Sequence, residues 1–313
     1  MKTIRLAAVA AAVVSCAVFG AGASAAEAPD LRSAAALIID EETGEVLYNK
    51  NADAVVPIAS ITKLMTAMVV LDAGLPLDEP IEISQDEVAL TQAAGTRSQL
   101  ARGMSFSRDE LLRLALMASE NRAAAALGRT YPGGPQAFVQ AMNAKAATLE
   151  MYGTRFVEPT GLSSGNVATA ADLATLVRAA KDYPLIREYS TLPSAKVRLG
   201  KRNFTFVNTN GLVRSSSWEI GVSKTGFINQ AGRCLVMQAR LAARSVIIVL
   251  LDSVGKFTRI GDANRIRQWL EPGYTPPAGL VGAEPRTRPV APKKPAQPTA
   301  GRVRAQLAPP APG

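Results

Sequence analysis

Ser60 and Lys63 stand three residues apart in the stretch PIASITKLMTAMVVLDAG, residues 57–74. The run reads as one helix. Ser60 suits its N-terminal end, Gly74 suits its stop, and Pro57 lies just upstream. Ile61, Leu64, Met65, Met68, Val69 and Leu71 leave no polar face wide enough to hold it at a surface, and a helix apolar all round belongs inside a domain. An ammonium there is costly unless it is paired or gives up its proton. At a spacing of i, i+3 the hydroxyl and the amine share one face, and a hydroxyl beside a desolvated amine is a nucleophile beside a base. The same residues also fit a blander arrangement, in which Lys63 snorkels to water and Ser60 only caps the helix. Four residues do not separate the two readings; the rest of the chain must.

The 313-residue chain has no histidine. That excludes Ser-His-Asp and Cys-His catalysis, and it excludes zinc sites built on histidine, H-E-x-x-H among them. A serine nucleophile here needs another proton acceptor, and lysine is the remaining candidate. The ends of the chain read as accessory. Residues 1–25 carry Lys2 and Arg5, an apolar run and then Ala23-Ser24-Ala25, the pattern of a secretory signal removed after Ala25. Val13-Val14-Ser15-Cys16 offers a loose lipoprotein alternative with lipid on Cys16. Residues 272–313 are rich in proline and arginine and read as an extended, disordered tail. Of the formal net charge of +9, the tail supplies +5 and the signal +2, so only +2 falls on residues 26–271. The basic balance is therefore no argument for nucleic-acid binding. The tail reads as a solvated linker that could also touch an anionic envelope surface. With the signal gone, Cys234 is the one cysteine, and beside CLVMQARLA it reads as strand packing.

Residues 26–271 suffice for one large domain or two joined lobes. SAAALIIDEETGEVLYNK is two β runs around a turn, followed by the helix from Ser60. Residues 80–190 are mostly helical, with a Ser107-x-x-Glu110 capping box, a helix running to Gly153, and another capped by Thr169 and stopped before Pro184. SSWEIGVSKTGFI, GRCLVMQARLA and RSVIIVLLDS are three antiparallel strands, and KFTRIGDANRIRQWLE closes the domain as a helix. The fold class is thus α/β in the α+β sense. An antiparallel sheet that includes the first hairpin is flanked by helices, with an all-helical lobe beside it and a cleft between them as the natural site.

Two more short motifs fall in that layout. Ser119-Glu120-Asn121 ends an apolar helix in the helical block, and Lys224-Thr225-Gly226, followed by Phe227, lies on the first of the last three strands. Each alone also reads as a turn or a strand end; their order and setting carry the weight. Together with Ser60-x-x-Lys63 they resemble the serine penicillin-recognising enzymes. ASITKLMTAMVVLDAGLPLDE, LLRLALMASENRAAAALGRTYPGG and AFVQAMNAKAATLEMYGTRFVEPTGLS are similar to the low-molecular-weight penicillin-binding proteins, above all their D-alanyl-D-alanine endopeptidase branch from Gram-negative bacteria. The resemblance spans about residues 34–271, and the family's optional β-rich C-terminal domain is lacking.

The resemblance implies a β-lactamase/D,D-peptidase-like fold and acyl transfer at a D-alanyl peptide bond in peptidoglycan stem peptides. Ser60 would be the nucleophile that forms an acyl-ester, and Lys63 the general base. Ser119 would relay a proton to the leaving amine, and Asn121 would position Lys63 and the substrate amide. Lys224 would add a second positive charge that helps keep Lys63 neutral and attracts the substrate carboxylate. Thr225 would bind that carboxylate beside Gly226, and the N–H groups of Ser60 and Phe227 would form the oxyanion hole. No metal or organic cofactor is implied, β-lactams would be covalent inhibitors, and the location would be the periplasm. A D-alanyl-D-alanine carboxypeptidase uses the same residues and stays open. So do a class A-like β-lactamase and a non-catalytic penicillin-binding sensor. Against the lactamase, EPTGLS at Glu158 has Gly161 and Leu162 where an E-x-x-L-N loop needs Leu and Asn, and it reads as a structural turn.

Overall fold

The computed structural model describes residues 28–276. The signal-like segment, Cys16 and the tail beyond residue 276 lie outside the described residues. In chain order the elements are β1 (Ser33–Asp40), β2 (Val46–Lys50), β3 (Val56–Pro57), α1 (Thr62–Asp72), β4 (Pro80–Glu82), α2 (Gln85–Ala93) and β5 (Ser105–Ser107). Then follow α3 (Arg108–Met117), α4 (Asn121–Arg129), α5 (Gly134–Thr148), β6 (Val167–Ala168), α6 (Ala170–Ala180) and α7 (Pro184–Thr191). The chain continues through β7 (Ser194–Leu199), β8 (Arg202–Val207), β9 (Glu219–Ile228), β10 (Gly232–Leu241), β11 (Arg244–Ser253) and α8 (Thr258–Leu270).

The first hairpin joins the last three strands in one antiparallel sheet ordered β2-β1-β11-β10-β9, as expected from the sequence. Its strands are apolar on both faces because both faces are covered. Successive residues point to opposite sides. Ala35, Leu37, Val236, Ile247 and Val249 enter the core shared with α1 and α6, whereas Ala36, Ile38, Leu235, Met237 and Ile248 pack against Ile260, Ala263 and Ile266 of α8. A register slip of one residue would exchange the two sets wholesale.

Helix α1 is surrounded by α3, α4, α5, α6 and α7, which accounts for a sequence apolar on every side. Each fully buried Leu or Met side chain on it contributes roughly 1.5–3 kcal/mol of burial, the reserve against which a buried amine can be held. The expected caps form: the Ser107 side chain accepts from Glu110 N while Glu110 bonds back to Ser107 N, and Thr169 accepts from Asp172 N.

Three local expectations are corrected. Ser60 does not cap α1. It lies in a 3-10 turn, Ala59–Ile61, that precedes the helix, and the residue at the cap position, Ile61, offers no side-chain bond. The helix expected to run to Gly153 stops at Thr148, where Glu150 adopts a left-handed φ of 58°. The hairpin β7–β8 was not foreseen, although Val197, Leu199, Phe204 and Phe206 alternate across it about a turn at Gly200.

Candidate active site

The turn carrying Ser60 is clamped from two sides. Strand β3 pairs with β6, and Ile58 N donates to Asn166 O at 3.1 Å, fixing the entry to the turn. On the far side, a Cβ on Gly226 would lie 2.9 Å from Ile58 O and 3.1 Å from Ser60 N. Only glycine lets the edge strand β9 come this close, so the K-T-G glycine is a packing requirement. The clamp holds Ala59 at a φ of +47°, a left-handed conformation that a non-glycine residue adopts at a cost.

Lys63 is fully buried in the first turn of α1, and its amine bonds into the cleft. Its Nζ donates to Ser60 Oγ at 2.9 Å, to Asn121 Oδ1 at 2.8 Å and to the main-chain oxygen of Thr160 at 2.6 Å. Snorkelling is therefore excluded. Asn121 arrives because α3 breaks at Ala118, Ser119 takes a left-handed φ of 58°, and the Glu120 carboxylate restarts the chain as α4 by accepting from Ala123 N. The S-x-N motif is thus a helix-breaking turn and a way of aiming two side chains at once.

From the other wall, Lys224 projects off β9 with 1% exposure. Its Nζ donates to Ser119 Oγ at 2.8 Å and to its neighbour Thr225 O at 3.1 Å. Thr225 Oγ1 donates to Thr209 Oγ1 at 2.7 Å. The Phe227 ring is half exposed under the Arg233 guanidinium, 4.5 Å away. The structure thus brings Ser60, Lys63, Ser119, Asn121, Lys224, Thr225, Gly226 and Phe227 around one cleft.

Electrostatics within the cleft bear on the two lysines. Burial brings Lys63 down to about 8, while the carboxylates of Glu158 and Glu120 work in the opposite direction. Lys224 falls well below the usual lysine range, first through burial, then through repulsion from Lys63 and Arg259. Sequence reading has Lys224 helping to keep Lys63 neutral; the structure sets both amines in the same buried cleft, each lowered first by burial. Lys63 has two carboxylates in its field that oppose the effect of burial, whereas Lys224 has burial and two neighbouring cations all working against its charge.

Sequence reading missed three participants. Thr160 presents a main-chain oxygen to Lys63, and it sits on a turn organised by Glu158. That carboxylate accepts from Thr160 N at 2.6 Å, Gly161 N at 2.6 Å and Asn166 Nδ2 at 3.0 Å, and Asn166 also reaches Thr62 Oγ1 at 3.0 Å. Thr209 is held between Asn208 and Asn210, which bond to Ser190 O and Ser223 Oγ. The third is Arg259 on α8. Its Nε and Nη1 are buried without a partner, and burial and Arg233 bring it down to about 10. A carbonyl direction and a helix docked from the far end of the chain leave no short motif to read.

Comparison with known proteins places the chain in a family. A family model described as D-alanyl-D-alanine carboxypeptidase matches residues 22–255. The chain belongs to this family. Among relatives, the D-alanyl-D-alanine endopeptidase of Pseudomonas aeruginosa is 52% identical over 246 residues, covering 78% of this chain and 79% of the relative. The D-alanyl-D-alanine endopeptidase of Escherichia coli K12 is 48% identical over 259 residues, covering 82% and 83%. Among solved structures, the Streptomyces K15 DD-transpeptidase superposes with a TM-score of 0.72 at 28% identity, covering 77% of this chain and 98% of that one. The family's penicillin-recognising fold, an antiparallel sheet with helices, is the one described above.

Proposed function

We propose that this chain is an exported serine D,D-peptidase that hydrolyses D-alanyl peptide bonds of peptidoglycan, acting on the D-alanyl–diaminopimelate cross-link. One observation carries the chemistry. In a chain without histidine, a fully buried amine with its pKa brought down to about 8 lies 2.9 Å from a serine hydroxyl. The choice of the cross-link rests on the endopeptidase names of the two relatives described above.

Ser60 Oγ attacks the D-alanyl carbonyl carbon as Lys63 Nζ takes the hydroxyl proton. The developing oxyanion is met by the N–H groups of Ser60 and Phe227, donors of a kind worth roughly 3–4 kcal/mol each. Collapse breaks the C–N bond. Lys63 passes the proton it took to the leaving amine through Ser119, whose hydroxyl accepts a hydrogen bond from Lys224, and so Lys63 is neutral again. Water then attacks the acyl-ester with Lys63 again as base, and Ser60 is regenerated. The carboxylate beside the scissile bond is held by Thr225, Lys224 and the unpaired Arg259. An anion there draws the cleft's positive charge towards Lys224, which leaves Lys63 neutral at the moment it must accept a proton. Penicillin enters the same path and stalls as the ester, because its leaving group stays tethered. Residues 1–25 direct export to the periplasm.

A D-alanyl-D-alanine carboxypeptidase reading is favoured by the description of the matching family model. It differs only in what lies beyond the scissile bond. The lactamase reading loses support from Glu158, whose oxygens are committed to the turn rather than aimed at a deacylating water.

The experiment is an overnight digest of cross-linked muropeptide dimers and pentapeptide monomers by residues 26–313, read by mass spectrometry beside Ser60→Ala. Dimers falling to monomers only with Ser60 present is the expected result. Loss of terminal D-alanine with dimers intact would assign the carboxypeptidase, and no change in either would overturn both.

A further inference from the structure

Beside the Ser119–Asn121 turn the cleft continues into a cavity of about 210 Å³. Its walls come from three places: Arg97 and Gln99 on the loop before α3, Glu120 on the S-x-N turn, and Phe204 and Phe206 on β8. The catalytic steps proposed above use none of Arg97, Gln99, Phe204 and Phe206, and use Glu120 only through its cap on α4 and its field on Lys63. The loop wall is pinned in place. Arg122 donates to Leu100 O at 2.6 Å and to Thr91 Oγ1 at 2.9 Å, and Asn121 Nδ2 donates to Thr96 Oγ1 at 3.4 Å. The two phenylalanine rings meet edge to face with centroids 4.9 Å apart.

The chemistry of these walls is amphoteric. The Arg97 guanidinium is exposed and makes no ion pair or hydrogen bond among the described residues. The hairpin behind it adds Lys196, Arg198, Lys201 and Arg202, all exposed, with no acidic residue within it. Glu120 supplies a carboxylate in the same cavity, nine-tenths buried. Aromatic edges between a cation and an anion suit a short methylene chain that ends in a carbon bearing both a free amine and a free carboxylate.

We propose that this cavity is a specificity pocket for the zwitterionic end of a diaminopimelate residue in the acyl-donor stem, with Arg97 taking its carboxylate, Glu120 its ammonium, and Phe204 and Phe206 its methylenes. Strand β9 is the free edge of the sheet, and a donor paired along it would send a side chain across the cleft towards this pocket. The assignment rests on the peptidase reading for its choice of substrate. It is nonetheless a statement about binding, so it can be tested without turnover.

A stem with lysine in place of diaminopimelate keeps the methylenes and the amine and lacks the carboxylate. The test is competition of two tetrapeptides, L-Ala-γ-D-Glu-meso-diaminopimelate-D-Ala and its lysine counterpart, against acylation of the protein by fluorescent penicillin. The diaminopimelate peptide is expected to compete at about tenfold lower concentration, as one charge-assisted pair provides. Arg97→Gln, a surface change, brings that ratio close to one. Glu120→Gln, whose amide oxygen can still accept from Ala123 N, weakens both peptides when each is scored against that variant's own rate of penicillin acylation, and leaves the ratio standing. Equal competition in the wild type, or an undiminished ratio in Arg97→Gln, overturns the pocket. Muropeptide dimers digested by the same preparation report on the peptidase reading separately. Dimers left intact while the ratio is present would remove that reading and keep the pocket, and cleavage without the ratio would do the reverse.

Discussion

Lys63 Nζ and the main-chain oxygen of Thr160 lie 2.6 Å apart across 97 residues of sequence. The contact faces the amine away from water and towards Ser60, and it makes the Glu158 turn part of the site. A main-chain oxygen accepts a bond without supplying a full charge, so it orients the amine while leaving burial to set its basicity.

Acylation should follow the protonation of Lys63. Its pKa in the folded protein is lowered to about 8, so the amine is neutral above that pH and cationic below it. The second-order rate of acylation by benzylpenicillin is expected to climb with pH and level off above an inflection near 8. A rate independent of pH from about 6 to about 9, a window that spans that value, would remove Lys63 as the base.

Lys63→Met keeps the length and the apolar surroundings and discards the amine. Acylation is expected to fall by about 10²–10⁴-fold, the range for a lost general base. Circular dichroism should report a folded protein, because α1 is held by packing on every side. Retained acylation in stopped-flow measurements would assign the base elsewhere.

Gly161→Ala tests the turn. Gly161 has a φ of +80°, and a Cβ there would sit 2.0 Å from Ala59 O. The backbone must move, and with it the Thr160 oxygen. Thermal and urea unfolding should show a loss of more than about 2 kcal/mol, with slower acylation in whatever remains folded.

Glu158→Gln separates a structural carboxylate from a catalytic one. As a turn-former its replacement is expected to lower stability and acylation together, with no stable acyl-enzyme accumulating beyond the wild-type level. Intact-protein mass spectrometry after a penicillin pulse gives the readout. Normal acylation with a trapped ester would instead make Glu158 a deacylating base, as a lactamase requires.

Much of this molecule follows from local rules. The apolar runs of β1, β10 and β11, the Ser107 and Thr169 caps, and the i, i+3 spacing of Ser60 and Lys63 depend on residues a few positions apart, and they read directly from the chain. The absence of histidine narrowed the chemistry before any coordinate was needed. Tertiary structure decided the rest. It moved Ser60 out of a capping role, because Gly226 and the β3–β6 pair fold its turn against the sheet edge. It also set the basicity of Lys63 and Lys224, both lowered first by burial. A pKa depends on every buried charge within reach, and Glu158, Glu120 and Arg259 come from three separate parts of the chain. Thr160, Thr209 and the Arg97–Glu120 pocket stayed invisible for the same reason. Spacing along a sequence specifies which side chains share a face of one element, whereas desolvation, carbonyl direction and the walls of a cleft arise only where distant elements pack together.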